Sequence, residues 1–94
     1  MIYELEFDPR ALKEWNKLGA TVRQQFKKKL PEVLRFPRIE ANQLRELPDC
    51  YKIKLRSAGY RLVYQVQEER ITVFVVAIGK REGEKAYSYA EKRL

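Results

Sequence analysis

Apolar and polar residues alternate near the start of the chain, in the segment YELEF at positions 3–7. Successive side chains of a strand point to opposite faces, so this alternation predicts a first strand with one buried face. Asp8 and Pro9 follow as a capping residue and a first-turn proline, which predicts a helix that Gly19 ends. The apolar stripe expected on this helix consists of Leu12, Trp15 and Leu18.

A second helix is predicted from Thr21, which forms a capping-box pattern with Gln24. Its apolar residues recur at spacings of three and four, as one buried helical face requires. They are Val22, Phe26, Leu30, Val33 and Leu34. Pro31 lies inside this pattern and is expected to kink the helix or fray its last turns, because proline lacks a backbone N–H. A loop with a short strand around Leu44 is predicted next.

Three strand-like runs follow at residues 51–55, 60–66 and 71–78. The last of them, ITVFVVAI, is apolar on both faces, which indicates a strand in the interior of the sheet. The closing segment EGEKAYSYAEKRL is typical of a short, polar helix. This order predicts an α+β fold, in which one small antiparallel sheet packs against an N-terminal helical hairpin and carries a short C-terminal helix.

The length of 94 residues predicts a single domain over residues 1–94. No apolar run approaches the ~20 residues of a membrane span, and the first residues do not resemble a secretion signal. A cytoplasmic protein without a membrane partner is therefore expected. Cys50 is the only cysteine, so it has no disulfide partner in the chain and is interpreted as a small buried filler.

The sequence contains no histidine, which removes imidazole chemistry and the commonest metal ligand. Neither a metal site nor a cofactor is predicted. The net charge is +7 with a pI near 9.7. Most of the excess lies in residues 51–94, where ten Lys or Arg face only five Asp or Glu. Such a basic surface favours polyanions, either nucleic acid or an acidic protein.

The segment YKIKLRSAGYRLVYQV at positions 51–66 is typical of a basic hairpin. If the apolar residues of both strands face one core, the cations between them share the opposite face. These cations are Lys52, Lys54, Arg56 and Arg61. The pattern requires a two- or four-residue loop, since a three-residue loop with a bulge at Gly59 would turn Arg61 to the core.

An ordinary solvated face is the simplest interpretation of this hairpin. Against it, the hairpin offers four cations and no carboxylate, and like charges on neighbouring strands destabilise a sheet. Lys80 and Arg81 follow the last strand directly, and Tyr87 comes six residues later. Tyr87 fits either this basic site or an aromatic lid on the sheet.

The same hairpin, followed by VVAIGKRE and a nearby tyrosine, resembles the RelE toxins of the RelE/ParE superfamily, which have a microbial-RNase-like fold. LEFDPRALKEWNKL and the PRIEANQL loop extend the resemblance essentially end to end. RelE-like toxins are ribosome-dependent endoribonucleases that cleave the codon in the vacant A site and inhibit translation. The resemblance implies an acidic, RelB-like antitoxin and the ribosome, with its mRNA and rRNA, as partners.

The active-site pattern of that family falls on Lys52, Lys54, Arg61, Arg81 and Tyr87. Some relatives have a His or a Glu at the catalytic centre. This chain has no His and no Glu clearly positioned to replace it, so a histidine-free, metal-independent mechanism is implied. Further RNA contacts are predicted for Arg56, Lys80, Lys27, Lys28 and Lys29, although a lysine run on a helix is also typical of a solvated face.

Metal-free RNA cleavage uses the 2′-hydroxyl to attack the adjacent phosphorus and leaves a 2′,3′-cyclic phosphate. Arg61 and Arg81 suit the charge of the phosphorane, because a guanidinium matches phosphate oxygens and stays protonated. Lys54 is the predicted general acid, with Lys52 or Tyr87 as the base. Tyr87 also fits stacking on a codon base.

Two other functions are compatible with the same fold: a non-enzymatic, ParE-like toxin that inhibits gyrase, and a plain RNA-binding module. Gyrase-poisoning members generally lack the Lys/Arg/Tyr set, so its presence favours the nuclease. The closing helix has few apolar residues to hold it on the sheet. An acidic antitoxin segment that folds on binding is therefore expected to mask the cations and displace this helix.

Overall fold

In a computed structural model, which describes residues 2–94, four strands form one sheet and three α-helices pack on its two faces. The strands are β1 (Glu4–Phe7), β2 (Cys50–Leu55), β3 (Tyr60–Gln67) and β4 (Thr72–Lys80). The helices are α1 (Pro9–Lys17), α2 (Ala20–Arg35) and α3 (Lys85–Arg93). The predicted α+β fold, with a helical hairpin at the start and a short helix at the end, is confirmed.

The strand order in the sheet is β1-β4-β3-β2, so β4 lies in the interior, as its apolar sequence predicts. β2, β3 and β4 are antiparallel neighbours. β1 instead runs parallel to β4, with Glu4 paired to Thr72, and the sheet is mixed rather than wholly antiparallel. The alternation of residues 3–7 indicates which face of β1 is buried, but it carries no information on the direction of the strand.

The two helices of the hairpin and α3 cover opposite faces of the sheet. The larger core lies under α1 and α2, and its most buried members include Ala11, Phe26, Leu62, Tyr64, Val73 and Val75. A smaller core lies under α3 and consists of Cys50, Val63, Val76, Ala77, Ala86 and Ala90. The sheet is therefore the middle layer of three, and the side chains of its second face are accessible wherever α3 does not cover them.

Helix α1 begins as predicted but buries a different face. The carboxylate of Asp8 accepts the Arg10 backbone N–H at 2.8 Å, and hydrogen bonds from the Arg10 guanidinium lower the pKa of Asp8 to about 2. Ala11 is fully buried, whereas Leu12 is 44% exposed, so its assignment to the apolar stripe was wrong. Trp15, by contrast, packs against the core, and the centroid of its ring lies 5.4 Å from that of the Phe7 ring.

Helix α2 starts earlier than its sequence pattern predicts. Gly19 is its N-cap and Ala20 its first residue, so Thr21 already lies within the helix and does not form the predicted capping box with Gln24. Gly19 thus begins the second helix rather than ending the first. The helix continues through Pro31 to Arg35, because Pro31 lies on the exposed side, where water can satisfy the carbonyl it leaves unpaired.

β4 contains one additional residue relative to β3. Tyr64 pairs with Val75, while Val63 pairs with Ala77, so Val76 is the extra residue of a bulge. The bulge places both Val76 and Ala77 in the core under α3. It also redirects the backbone of β4 at the point where α3 crosses it.

Two smaller features complete the fold. Gln43 forms an isolated bridge with Tyr51 in place of the short strand expected around Leu44. Within residues 2–94, none of the helices has the length and apolar character needed to cross a membrane.

Candidate active site

The β2–β3 hairpin has the register that the parity of its apolar residues predicts. Lys54 lies directly opposite Arg61, and residues 56–59 form a four-residue loop. Most apolar residues of these strands, Tyr51 among them, face α1 and α2, whereas Cys50 and Val63 face α3. Lys52, Lys54 and Arg61 consequently share the opposite face of the sheet, beside α3.

Arg56 does not lie on this face, contrary to the prediction. β2 ends at Leu55, so Arg56 belongs to the loop, where strand alternation no longer sets the direction of a side chain. It lines a separate depression on the α2 side of the molecule together with Gln25, Lys28 and Lys29. The hairpin therefore contributes three cations to the shared face rather than four.

Arg81 is held beside the hairpin by a backbone contact. β4 pairs with β3 up to its last residue, Lys80, and the N–H of Arg81 then donates to the carbonyl of Gly59 at 2.7 Å. Gly59 has a φ of 69°, a conformation that side-chain-bearing residues rarely adopt. Its own N–H donates to the carbonyl of Leu55 at 2.9 Å. One glycine thus closes the hairpin loop and fixes the backbone of Arg81.

Tyr87 comes from the first half of α3 and is partly buried. Its ring packs against the smaller core, next to the buried Ala86. It also borders the basic face of the hairpin. Both interpretations of this residue therefore agree with its position, since it covers part of the sheet and lies beside the cations.

An open cleft of about 570 Å³ lies between the hairpin, α3 and the loop before β2. All five residues that the resemblance implies line this cleft: Lys52, Lys54, Arg61, Arg81 and Tyr87. The cations come from three consecutive segments of the antiparallel sheet, and the phenol comes from the helix that crosses it. The fold thus brings together residues that are up to 35 positions apart in the sequence.

Two groups of lining residues were not predicted. The loop at positions 43–47, held along β2 by the Gln43 bridge, contributes Arg45 and Glu46, and α3 with its preceding turn contributes Glu84 and Glu91. Three Glu side chains therefore line the cleft, although the sequence showed none clearly positioned to replace the His or Glu of some relatives. The loop has no periodic pattern that would indicate where its side chains point. Its position directly before β2 was the one signal in the sequence that it lies near the basic hairpin.

The hairpin cations repel one another. The pKa of Lys54 is lowered, chiefly because the ammonium group of Lys52 lies beside it, and Arg61 and Arg56 add smaller effects of the same sign. In the part of the chain that the structure describes, no carboxylate lies within salt-bridge distance of Lys52, Lys54 or Arg61. The like charges are therefore uncompensated, which is the arrangement that an anionic ligand relieves.

The remaining basic candidates lie outside the cleft. Lys27, Lys28 and Lys29 are exposed on α2, which packs on the other face of the sheet. Lys80 is exposed at the end of β4 and does not line the cleft. Their positions are compatible with contacts to a large polyanion but not with a direct role at the reacting phosphate.

Cys50 is completely buried, which confirms its interpretation as a filler of the smaller core. Burial raises the pKa of its thiol to about 11, so the thiolate is scarcely populated near neutral pH. Residues 2–94 contain no group of three or more His, Cys, Asp or Glu side chains arranged to hold a metal ion.

Comparison with known proteins assigns the chain to a class of toxins. A sequence model for the ParE toxin of the type II toxin–antitoxin system parDE matches residues 5–84. The chain therefore belongs to the RelE/ParE toxins of type II toxin–antitoxin systems. Over all 94 residues it is 68% identical to the mRNA interferase toxin RelE of Escherichia coli (strain K12), 99% of which is covered. The resemblance to RelE that the hairpin indicates is confirmed.

Solved structures agree with the sequence comparison. A mutant of the E. coli toxin RelE in the free state superimposes with a TM-score of 0.92 at 67% identity, covering 100% of this chain and 99% of that chain. A mutant of E. coli RelE in complex with a peptide of the antitoxin RelB gives a TM-score of 0.83 at 67% identity and the same coverage.

Proposed function

We propose that this chain is an mRNA interferase toxin, a metal-independent endoribonuclease that cleaves mRNA in the ribosomal A site and so inhibits translation. The observation that carries the proposal is the convergence of cations and a tyrosine on one open cleft, with Lys54 and Arg61 directly opposite each other. The identity of 68% with a protein named as an mRNA interferase supports the same activity.

In the proposed reaction the RNA 2′-hydroxyl attacks the adjacent phosphorus and the bond to the 5′-oxygen of the next nucleotide breaks. A 2′,3′-cyclic phosphate remains on one product. Arg61 and Arg81 bind the non-bridging oxygens, where negative charge increases in the phosphorane. Arg61 belongs to β3 and Arg81 directly follows β4, and the Gly59 carbonyl accepts the Arg81 backbone N–H, so both arginines extend from fixed positions of the backbone.

Two proton transfers accompany these bond changes. Lys54 is the general acid for the departing 5′-oxygen, and its lowered pKa makes it a stronger acid than an ordinary lysine. Lys52 or Tyr87 takes the proton of the 2′-hydroxyl, since both border the same cleft. Alternatively, Tyr87 stacks on a codon base, and Lys52 alone is then the base.

The carboxylates of the cleft restrict where a phosphate can bind. Glu46 enters from the loop before β2, and Glu84 and Glu91 enter from α3 and the turn before it. Because carboxylates repel phosphate, we place the scissile phosphate on the hairpin side, between Lys54 and Arg81. The glutamates then face the sugars and bases of the codon rather than its backbone.

A second basic surface supports contact with ribosomal RNA. We define it by Lys28, Lys29 and Arg56, which line one depression of about 470 Å³ on the α2 side of the molecule. Lys54 lines both the cleft and a depression that contains Lys29, so positive charge continues around the edge strand β2. Phosphates of rRNA on this surface would orient the cleft toward the codon, and orientation contributes strongly to rate.

An acidic, RelB-like antitoxin is the proposed inhibitor. The solved complex of E. coli RelE with a RelB peptide supports this assignment, and the uncompensated cations of the hairpin attract an acidic segment for the same reason that they attract phosphate. Since messenger RNA is translated in the cytoplasm, we place the protein there. We further propose that residues 1–94 act as one toxin domain.

A gyrase-inhibiting toxin is the second candidate, because the matching family model describes a ParE toxin. The Lys/Arg/Tyr set of the cleft favours RNA cleavage instead, since binding to gyrase does not require a general acid next to two arginines. A plain RNA-binding module is less well supported, because mere binding gives no role to the lowered pKa of Lys54.

Purified ribosomes programmed with a short mRNA test the proposal. The chain should cut the codon in the vacant A site and leave a 2′,3′-cyclic phosphate, while the same mRNA without ribosomes should be cut far more slowly. A parallel DNA supercoiling assay with purified gyrase serves as the comparison. Inhibition of gyrase without any mRNA cleavage would replace the proposal with the second candidate.

A further inference from the structure

Glu14 of α1 and Arg93 of α3 form an ion pair that joins the two faces of the sheet. The guanidinium donates to both carboxylate oxygens, at 2.9 Å and 2.8 Å. Only 10% of the Arg93 side chain and 21% of the Glu14 side chain are exposed. Both groups also bind the backbone of β4: the Ile78 N–H donates to Glu14 at 3.0 Å, and Arg93 donates to the Val76 carbonyl at 2.9 Å.

The pair occupies the place that a longer β1 would fill. β1 ends at Phe7, and the next residue, Asp8, donates its N–H to the Val75 carbonyl at 2.9 Å. Beyond that bond, no strand among residues 2–94 lies beside β4 on this edge, and Val76 is the extra residue of the bulge. Buried backbone groups are costly when they lack a hydrogen-bond partner. Glu14 and Arg93 supply partners for two of them.

The other contacts of α3 with the sheet come from small buried side chains and from the partly buried rings of Tyr87 and Tyr89. Its buried residues are only Ala86 and Ala90, whose small side chains remove little apolar surface from water. The N-terminal end of the helix rests closely on Gly79, where an added Cβ would come within 3.0 Å of the Ala86 nitrogen. Arg93 holds the C-terminal end, and Tyr87 lies between the two contacts.

We propose that Glu14 and Arg93 are positioning residues for Tyr87. By fixing the C-terminal end of α3 to α1 and to β4, they hold Tyr87 at the cleft that Lys54 also lines. The inference rests on the proposed function, because only cleavage of RNA gives that phenol a task. Removing either partner leaves the other charge partly buried and unpaired, which favours release of the helix end.

Glu14→Gln tests this role with little change of shape, because the glutamine oxygen can still accept the Ile78 N–H. Amide exchange in residues 85–93 should rise by about tenfold or more as the helix opens locally. The kcat for mRNA cleavage should fall roughly 10- to 100-fold, while KM for programmed ribosomes should change by no more than about threefold. Lys92→Ala is the matched control, since it removes an exposed cation from the same helix and should change neither quantity.

Two further variants link the pair to Tyr87. Arg93→Lys, which keeps the charge, should retain more activity than Arg93→Gln. Glu14→Gln combined with Tyr87→Phe should be no slower than Tyr87→Phe alone, because the pair acts through the phenol. Fluorine NMR of 3-fluorotyrosine-labelled protein, with the Tyr87 signal assigned from Tyr87→Phe, follows the position of the ring without any cleavage assay.

The outcomes separate this inference from the proposed function. The same amide exchange rates in α3 and the same fluorine signal of Tyr87 in Glu14→Gln and Lys92→Ala would overturn the positioning role, whatever the cleavage activity of the two variants. Wild-type cleavage by Tyr87→Phe would overturn the role of the phenol as a base, and wild-type cleavage by Tyr87→Ala would overturn any role of the ring and with it the role of the pair in catalysis. A wild-type chain that cleaves nothing would contradict the proposed function, while exchange and NMR would still decide whether the pair holds α3.

Discussion

Lys54 combines two properties that suit the proposed reaction, a position in the cleft opposite Arg61 and a lowered pKa. Lys52 lies on the same face two residues earlier, and Arg61 lies directly opposite on β3. Their charges favour the neutral form of Lys54 and lower its pKa. A lysine surrounded by cations is thus a better proton donor near neutral pH than an isolated lysine.

Cleavage should therefore have an alkaline limit set by Lys54. A general acid must carry its proton, so the rate should decline as the pH rises through the lowered pKa of Lys54, which is reached before the pKa of an ordinary lysine. Lys52→Gln removes the largest cause of the shift and should move this decline to higher pH. Lys28→Gln removes the same charge outside the cleft and should leave the decline in place. Single-turnover cleavage rates measured as a function of pH test this prediction. The same alkaline decline in Lys52→Gln and in the wild type would contradict the assignment of Lys54 as the general acid.

Arg81→Ala should abolish most cleavage and leave the fold intact. Arg81 is exposed and follows the end of β4, so its side chain contributes nothing to either core. The loss of a group that stabilises transition-state charge commonly costs ~10²–10³ in rate. Cleavage assays and circular dichroism should be compared with Arg35→Ala, which removes an exposed cation from the last turn of α2. Wild-type rates in folded Arg81→Ala would refute the role of this arginine.

At the scale of elements, the sequence predicts those features that depend on local periodicity. The parity of the hairpin correctly places Lys52 and Arg61, because strand alternation holds up to the last paired residue. It fails for Arg56, which lies one position beyond the end of β2. The parallel direction of β1 could not be predicted either, since alternation is the same in both directions.

Long-range partnerships explain the remaining differences. The hold of α3 on the sheet was expected to depend on apolar residues alone, yet the helix is also fixed by Arg93 and Glu14, which are 79 positions apart. A local pattern does not indicate such a pair. Glu46 and Glu91 were missed at the cleft for the same reason, because a loop and the side of a short helix reach it through tertiary packing.

Gly79→Ala tests the close approach of α3 to β4. The new Cβ would lie 3.0 Å from the backbone nitrogen of Ala86 and 3.1 Å from the Cβ of Lys85, so the start of α3 must move outward. Because Tyr87 follows directly, cleavage should fall by about tenfold or more. Gly19→Ala is the control, since nothing lies within 4 Å of its added Cβ and only the N-cap of α2 is affected. Equal activity of the two variants would show that the approach at Gly79 is not needed for the site.

For the molecule as a whole, which has a net charge of +7, two basic surfaces have different proposed tasks. We assign the cations of the cleft to the scissile phosphate, and the cations at Lys28, Lys29 and Arg56, which line a separate depression, to structured RNA. Both lie beside the edge strand β2, so a single bound polyanion can cover them together. The same arrangement makes both surfaces accessible to one acidic protein.

Inhibition by an acidic antitoxin should combine charge masking with displacement of α3. The helix buries only two alanines fully, so a partner segment that folds on the sheet can compete for the same surface. Displacement would also have to break the Glu14–Arg93 pair. Hydrogen exchange of residues 84–94 should therefore increase in the inhibited complex relative to the free toxin. Equal or greater protection of these amides in the complex would exclude displacement of α3. Inhibition would then depend only on masking of the basic face.

If this cleft cleaves mRNA through the 2′-hydroxyl of the RNA, a substrate that lacks this hydroxyl at the cut position must resist cleavage. An mRNA with a single 2′-deoxy nucleotide on the 5′ side of the cut should still program the ribosome and bind the toxin. It should remain uncut, because the nucleophile is missing, while the unmodified mRNA yields a 2′,3′-cyclic phosphate at that position. Cleavage of the deoxy substrate at the same position and at a comparable rate would contradict the account.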